Sequence, residues 1–183
     1  MNAGKSTSLL QSNHNYKARN LKTYIFAPKV DAEFHQGKIH SRLGVEEKAN
    51  IFDESFNFYE YFKDKKTKKI SCILVDEAQF LTELQVKELC NVCDNFNIPV
   101  MCYGIRTDFR GELFEGSRSL LAYADNMIEL KTICEYENCT RKATMVARFV
   151  DGKLVTEGEK VVIGGEHYKV YCRKHYRKIT GLI

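Results

Sequence analysis

Nothing in this chain approaches the roughly 18 consecutive apolar residues that a membrane-spanning helix requires. The amino terminus also lacks the charged-then-apolar pattern of a secretory signal. Without a secretory route, Asn138-Cys139-Thr140 means nothing as a glycosylation acceptor. The odd count of seven cysteines then reads as reduced thiols in a cytoplasmic protein, not as a disulfide framework. A dominant charge of one sign is missing too. The net charge of +4 is mildly basic and gives no case for a nucleic-acid partner. Hydrophobic content of 44% and charged content of 28% are those of an ordinary globular protein, and 183 residues suffice for one domain with a small appendage.

What is present centres on residues 69 to 81, Lys-Ile-Ser-Cys-Ile-Leu-Val-Asp-Glu-Ala-Gln-Phe-Leu. Ile70 to Val75 is short, apolar and rich in β-branched residues, the pattern of a strand buried on both faces of a parallel sheet. Two acids, Asp76 and Glu77, follow at its carboxyl end, where ligands of open α/β sheets bind. Asp76 could simply cap a following helix. Gly4-Lys5-Ser6 argues otherwise, because a strand ending in Asp is the partner a phosphate-binding loop needs to hold Mg²⁺. Asp76 and Ser6 would hold that ion, Lys5 and the backbone amides from Asn2 onward would wrap the phosphates, and Glu77 could take a proton as general base. The expected nucleotide contacts are Met1, Asn2, Ala3, Gly4, Lys5 and Ser6 with Asp76, Glu77, Ala78 and Gln79.

Along the chain, the patterns predict a helix over 6–19, a strand over 23–27, and a polar loop between Pro28 and Gly44. They predict a core-facing helix over 54–65, with Phe56, Tyr59 and Phe62 on one stripe, and a basic turn over 63–69. Thr82 with Gln85 forms a capping box, opening a helix to about Phe96. Cys90 and Cys93 lie inside that helix among apolar neighbours and read as packing residues. Strands are expected over 98–103, 127–131, 143–149 and 160–163. Alternating strands and helices predict a parallel α/β sheet, and a change of character at Thr132 places a boundary between residues 1–131 and 132–183.

After that boundary, Cys134 and Cys139 form Cys-x4-Cys, while Cys172 and His175 form Cys-x2-His. These spacings suit a Cys3His structural Zn²⁺ site, closed and therefore not catalytic. Thiols buried by chance among polar, basic neighbours are the poorer explanation.

Met1 to Ser6, Leu74 to Phe80, Gly104 to Gly111, the cysteine–histidine quartet and Val162 to Gly165 occur in that order. With these motifs, the chain closely resembles the zinc-containing, type II thymidine kinases over essentially its whole length. The resemblance implies a P-loop, RecA-like α/β domain with a small zinc domain bearing a lasso over the nucleoside. It implies transfer of the γ-phosphoryl group of ATP to thymidine, a homotetramer, inhibition by thymidine triphosphate, and no nucleic-acid or membrane partner. It further implies that Phe80 and Phe109 line the base pocket, and that Val162, Ile163, Gly164 and Tyr168 belong to the segment reading the thymine edge. Arg148 stands where the family has a basic residue near the phosphates, although a solvated strand position explains it as well. Asp31 matches an acidic position, whereas Glu33 departs from the arginine of many relatives.

The loop's prelude is the other departure. The first Gly of a complete P-loop would precede Met1, and relatives carry a further strand there, expected beside Ile70–Val75. An internal Met taken for the initiator explains this while leaving every downstream motif intact. The chain as written is expected to phosphorylate thymidine weakly, because its loop begins untethered. Two alternatives follow: an inactive nucleotide-binding form, or a nucleic-acid-dependent P-loop ATPase using Lys169, Arg173, Lys174, Arg177 and Lys178.

Overall fold

The protein is described by a computed structural model covering residues 3–30, 38–40, 44, 46–65, 69–160 and 166–183. Asp31, Glu33, His35, Arg42, Met1, Asn2, Val162, Ile163 and Gly164 lie outside the described residues. The chain divides into two compact units. One comprises Gly4–Ile105 and Glu115–Asn126. The other comprises Arg106–Phe114 and Met127–Ile183, and Ala3 groups with it.

The first unit is a parallel sheet between helices. Helix α1 (Lys5–Lys17) leads to strand β1 (Lys22–Pro28), the antiparallel pair β2 (Lys38–His40) and β3 (Glu46–Lys48), and strand β4 (Asn50–Phe52). Helix α2 (Phe58–Lys63), strand β5 (Ile70–Val75), a 3-10 turn (Ala78–Phe80), helix α3 (Glu83–Phe96), strand β6 (Val100–Cys102) and helix α4 (Glu115–Tyr123) follow. The sheet order is β4-β1-β5-β6, with every neighbour parallel. Successive side chains of β5 point to opposite faces, so Ile73 and Val75 enter one core while Cys72 and Leu74 enter another. Phe26, Phe52, Phe58 and Phe62 fill the first core in tilted and edge-to-face pairs, such as Phe26–Phe58 at 5.1 Å. Leu9 and Leu10 of α1 close the second. Each fully buried Phe contributes on the order of 1.5–3 kcal/mol. Burial on both faces is the reason the strand reads as an apolar run interrupted only by Ser71.

Several expectations are corrected. The strand foreseen beside Ile70–Val75 has no place there, because both edges of β5 are already paired, to β1 and to β6. Helix α2 occupies only Phe58–Lys63. Asn57 caps it by accepting from the Glu60 N–H, and Glu88 of α3 accepts from the Phe58 N–H, so Phe56 lies outside the helix but still packs on the core. Residues 127–131 form no strand, and Met127 and Ile128 are exposed. The Pro28–Gly44 segment is not all loop, since Lys38–His40 pairs with Glu46–Lys48.

The second unit is built on an antiparallel sheet, β8-β7-β9, from β7 (Met145–Val150), β8 (Lys153–Val155) and β9 (Glu166–Tyr171), followed by helix α5 (Arg173–Thr180). The sequence pattern missed β8 and β9. Lys160 lies in no strand, and the remainder of the 160–163 strand falls outside the described residues.

The capping box of α3 is present as expected. Gln85 N–H donates to Thr82 Oγ1 and the Thr82 N–H donates to Gln85 Oε1, while Gln85 Nε2 also donates to the Asp53 and Phe56 carbonyls. Helix α4 approaches the 3-10 turn so closely that a Cβ on Gly116 would meet the Leu81 and Ala78 carbonyl oxygens at 2.6 and 2.7 Å. Gly116→Ala is therefore expected to cost about 1–3 kcal/mol through overpacking against backbone. A lower urea midpoint at unchanged slope would report it, whereas an unchanged midpoint would mean that α4 can shift freely.

Candidate active site and metal centre

Where β5 ends, backbone pairing dictates the exit. The Asp76 N–H donates to the Phe26 carbonyl at 2.9 Å, the Tyr103 N–H to the Val75 carbonyl at 2.8 Å, and the Ala78 N–H to the Tyr103 carbonyl at 2.8 Å. Between these fixed points Glu77 adopts the left-handed region, φ 44° and ψ 43°. A non-glycine residue held there costs on the order of 1–3 kcal/mol and signals that its surroundings over-determine it. Glu77 Oε1 lies 3.3 Å from Lys5 Nζ, an ion pair joining the start of α1 to the end of β5.

Asp76 is 3% exposed. Its Oδ2 accepts from the Ser6 hydroxyl at 3.0 Å and its Oδ1 from the Glu77 N–H at 3.0 Å. Burial, with the neighbouring Glu77 charge, pushes its carboxyl up to about 6, although the Glu77 N–H, the Ser6 hydroxyl and Lys5 pull the other way. Ser6 and Asp76, expected to share a cation, are thus already in contact. Gly4 precedes α1 at φ 76°, and its carbonyl accepts from the Ser8 N–H. The first turn of α1 carries no acidic residue, so its positive end is left for an anion. Ala78 and Gln79 are buried in the turn after Glu77, and Phe80 ends that turn half-buried. The first unit therefore gathers Gly4, Lys5, Ser6, Asp76, Glu77, Ala78 and Gln79 around one strand end.

In the second unit the ligand atoms of Cys134, Cys139, Cys172 and His175 all lie within 4.8 Å of one another. His175 Nδ1 is 3.5 Å from Cys134 Sγ and 3.4 Å from Cys172 Sγ. Thiolates at about 2.3 Å around a tetrahedral Zn²⁺ sit about 3.8 Å apart, so the donor set and its spread fit that ion. Burial opposes ionisation of Cys172, but N–H groups of His175 and Lys174 hold its thiol below the usual value, helped by the Cys134 and Cys139 thiols. Tyr136 stacks on the His175 ring at 4.0 Å between centroids and accepts a hydrogen bond from Lys178.

Arg148 is not the solvated strand residue that was one option for it. It is 3% exposed on β7, its guanidinium lies 3.8 Å over the Phe109 ring, and it donates to the Glu157 and Glu159 carbonyls at 3.0 and 2.7 Å. Gly158, at φ +111°, turns the chain between those carbonyls, where a Cβ would stand 3.0 Å from the guanidinium. Phe109 is 2% exposed, and its carbonyl accepts from the Tyr176 hydroxyl at 2.7 Å. Tyr168 sits opposite Arg148 in the β7–β9 register. The packing of Arg148 on Phe109, of Tyr136 on His175 and the Ile105–Gln79 hydrogen bond are made across long sequence separations. No local pattern could have announced them, although an Arg among apolar strand residues was the available hint.

The metal centre makes a direct prediction. Purified protein should carry about one zinc per chain by elemental analysis, and Cys134→Ser should lose it and melt the second unit at lower temperature. Folded protein free of zinc would refute the assignment.

Among the described residues no helix is long and apolar enough to cross a membrane. A family model described as thymidine kinase matches residues 1–176. A thymidine kinase of Salmonella choleraesuis is 51% identical over 180 residues, which span 97% of this chain and 86% of that protein. One of Legionella pneumophila is 52% identical over 182 residues, with 97% and 86% covered, and one of Rhodopirellula baltica is 50% identical over 181 residues, with 97% and 84% covered. With half of its residues shared across nearly its whole length, and with acid, lysine and serine gathered at one strand end, the chain belongs to the thymidine kinase family of phosphotransferases.

Proposed function

We propose that this chain transfers the γ-phosphoryl group of ATP to the 5′-hydroxyl of thymidine, with Glu77 as general base. The observation that carries the assignment is the convergence of Lys5, Ser6, Asp76 and Glu77 at the end of β5. The Glu77 carboxylate accepts the hydroxyl proton while the 5′-oxygen attacks the γ-phosphorus, and the bond to the bridging oxygen breaks to release ADP. Lys5 and the amides at the start of α1 hold the phosphate oxygens and offset the charge developing on them. A Mg²⁺ ion held by the Ser6 hydroxyl and the Asp76 carboxylate would supply further positive charge to the same oxygens.

Thymidine reading is assigned by family likeness to Phe80, Phe109 and the segment through Val162, Ile163, Gly164 and Tyr168. The cytoplasm as location, a homotetramer and inhibition by thymidine triphosphate belong to the same proposal. Of these residues, Phe109 has the most defined setting, held between Arg148 and the Tyr176 hydroxyl within its own unit.

Glu77→Gln keeps the side chain's size and removes its basicity. It should retain thymidine binding, measured by titration, while turnover falls by about 10²-fold or more. Near-normal turnover in the variant would take the base role away from Glu77.

A further inference from the structure

Gln79 was expected among the nucleotide contacts, but its side chain is committed elsewhere. It is 4% exposed, and both ends of its amide are engaged within the chain. Its Oε1 accepts from the Ile105 N–H at 3.1 Å, and its Nε2 donates to Glu77 Oε2 at 2.5 Å. The direction of this relay is forced. A backbone N–H can only donate, so the amide oxygen must face Ile105 and the NH₂ must face the carboxylate. Glu77 is thereby held from two sides, with Lys5 Nζ on Oε1 and Gln79 on Oε2. A carboxylate tethered by the lysine alone could swing about that one contact.

The backbone is shaped around Gln79. A Cβ on Gly104 would meet Gln79 Oε1 at 3.0 Å and its N at 3.1 Å, so a side chain there would displace the amide. A Cβ on Gly116 would stand 3.0 Å from the Gln79 carbonyl oxygen. We propose that Gln79 is a positioning residue for Glu77, coupling the base to the backbone beyond β6 and fixing the oxygen that takes the proton, instead of touching the nucleotide. This rests on the base role assigned to Glu77 above.

The test measures kcat and the KM values for thymidine and ATP in five proteins: the unaltered chain, Gln79→Leu, Gln79→Glu, Glu77→Gln, and the Glu77→Gln/Gln79→Leu double variant. Gln79→Leu keeps volume and removes both hydrogen bonds. Gln79→Glu keeps an oxygen for the Ile105 N–H but replaces the donor facing Glu77 with a second acceptor, so it decides the matter if the leucine variant does not fold. Both single variants at position 79 should lose kcat by about 10–10²-fold, the scale of a displaced catalytic group, with both KM values within about threefold. In the Glu77→Gln background, Gln79→Leu should cost nothing further, because a residue acting only through Glu77 has nothing left to position.

Losses that simply multiply in the double variant would show a general structural role and overturn the proposal. A raised ATP KM with kcat intact would do the same by making Gln79 a nucleotide contact. If Glu77→Gln is slow while the position-79 variants keep kcat, the positioning role falls and the base role stands. If Glu77→Gln itself turns over normally, both fall.

Discussion

The end of strand β5 is the constraint on which the rest of the parallel-sheet unit depends. Its last carbonyl and the first residues beyond it are tied to β1 on one side and to β6 on the other, through Phe26 and Tyr103. Sheet hydrogen bonds do not stretch to suit a side chain. The turn must therefore absorb the geometry, and it does so at Glu77, in a backbone region that a glutamate adopts only under compulsion. The cost is local and the benefit is direction, since the carboxylate leaves the sheet aimed at Lys5. Two glycines make the arrangement sterically possible. Gly104 leaves room for the Gln79 amide, and Gly116 lets α4 lie directly on the turn's carbonyls.

The second unit meets a different physical problem. Three strands and one short helix enclose few large side chains, and the cluster around Tyr176, Tyr171 and Met145 includes Cys134 and Cys172 of the quartet itself. A small layer of this kind gains stability from a cross-link more readily than from added core. A zinc ion held by the quartet would provide it, joining the 134–139 turn to the junction of β9 and α5. Arg148 does comparable work on the other side of β7. One guanidinium holds the Glu157 and Glu159 carbonyls and covers the Phe109 ring, so strand, turn and the 106–114 segment share one anchor.

How much of this was legible in the sequence follows from the range of the forces involved. Strand β5 was plain because burial on both faces leaves a nearly continuous apolar run, and helix α3 was plain because its capping box is local. The gathering of the cysteine–histidine quartet was plain because ligand spacing is itself a chemical signature. Helix α2 was overextended for a reason specific to Phe56. Its aromatic ring packs on the core from outside the helix, so it mimics the helical stripe without sharing the backbone. Residues 127–131 carry strand-like apolar residues, but Met127 and Ile128 are solvent-exposed, and exposure cannot be read from residue type. The place of β6 beside β5 was not foreseen either, because strand order depends on crossovers that no short window contains.

The electrostatics at the strand end set a further limit on how the site can work. Asp76 and Glu77 are adjacent in sequence, and Lys5 is the cation paired with Glu77. Their formal charges are two negative against one positive, and Asp76 lies in a buried setting where screening by water is weak. The protein's response is visible in the Asp76 carboxyl, which burial and its acidic neighbour push up to about 6. A cluster so under-neutralised is a poor receptor for a triphosphate by itself, since like charges would face each other at short range. A divalent cation held by Ser6 and Asp76 would reverse that balance, offsetting the Asp76 charge and presenting positive charge to the phosphate oxygens. The same cation would draw Ser6 and Asp76 into its shell, leaving Glu77 with Lys5 and Gln79 as its partners. The hydrogen bonds thus already set the two acids apart, Asp76 with the Ser6 hydroxyl and the Glu77 N–H, Glu77 with Lys5 and Gln79.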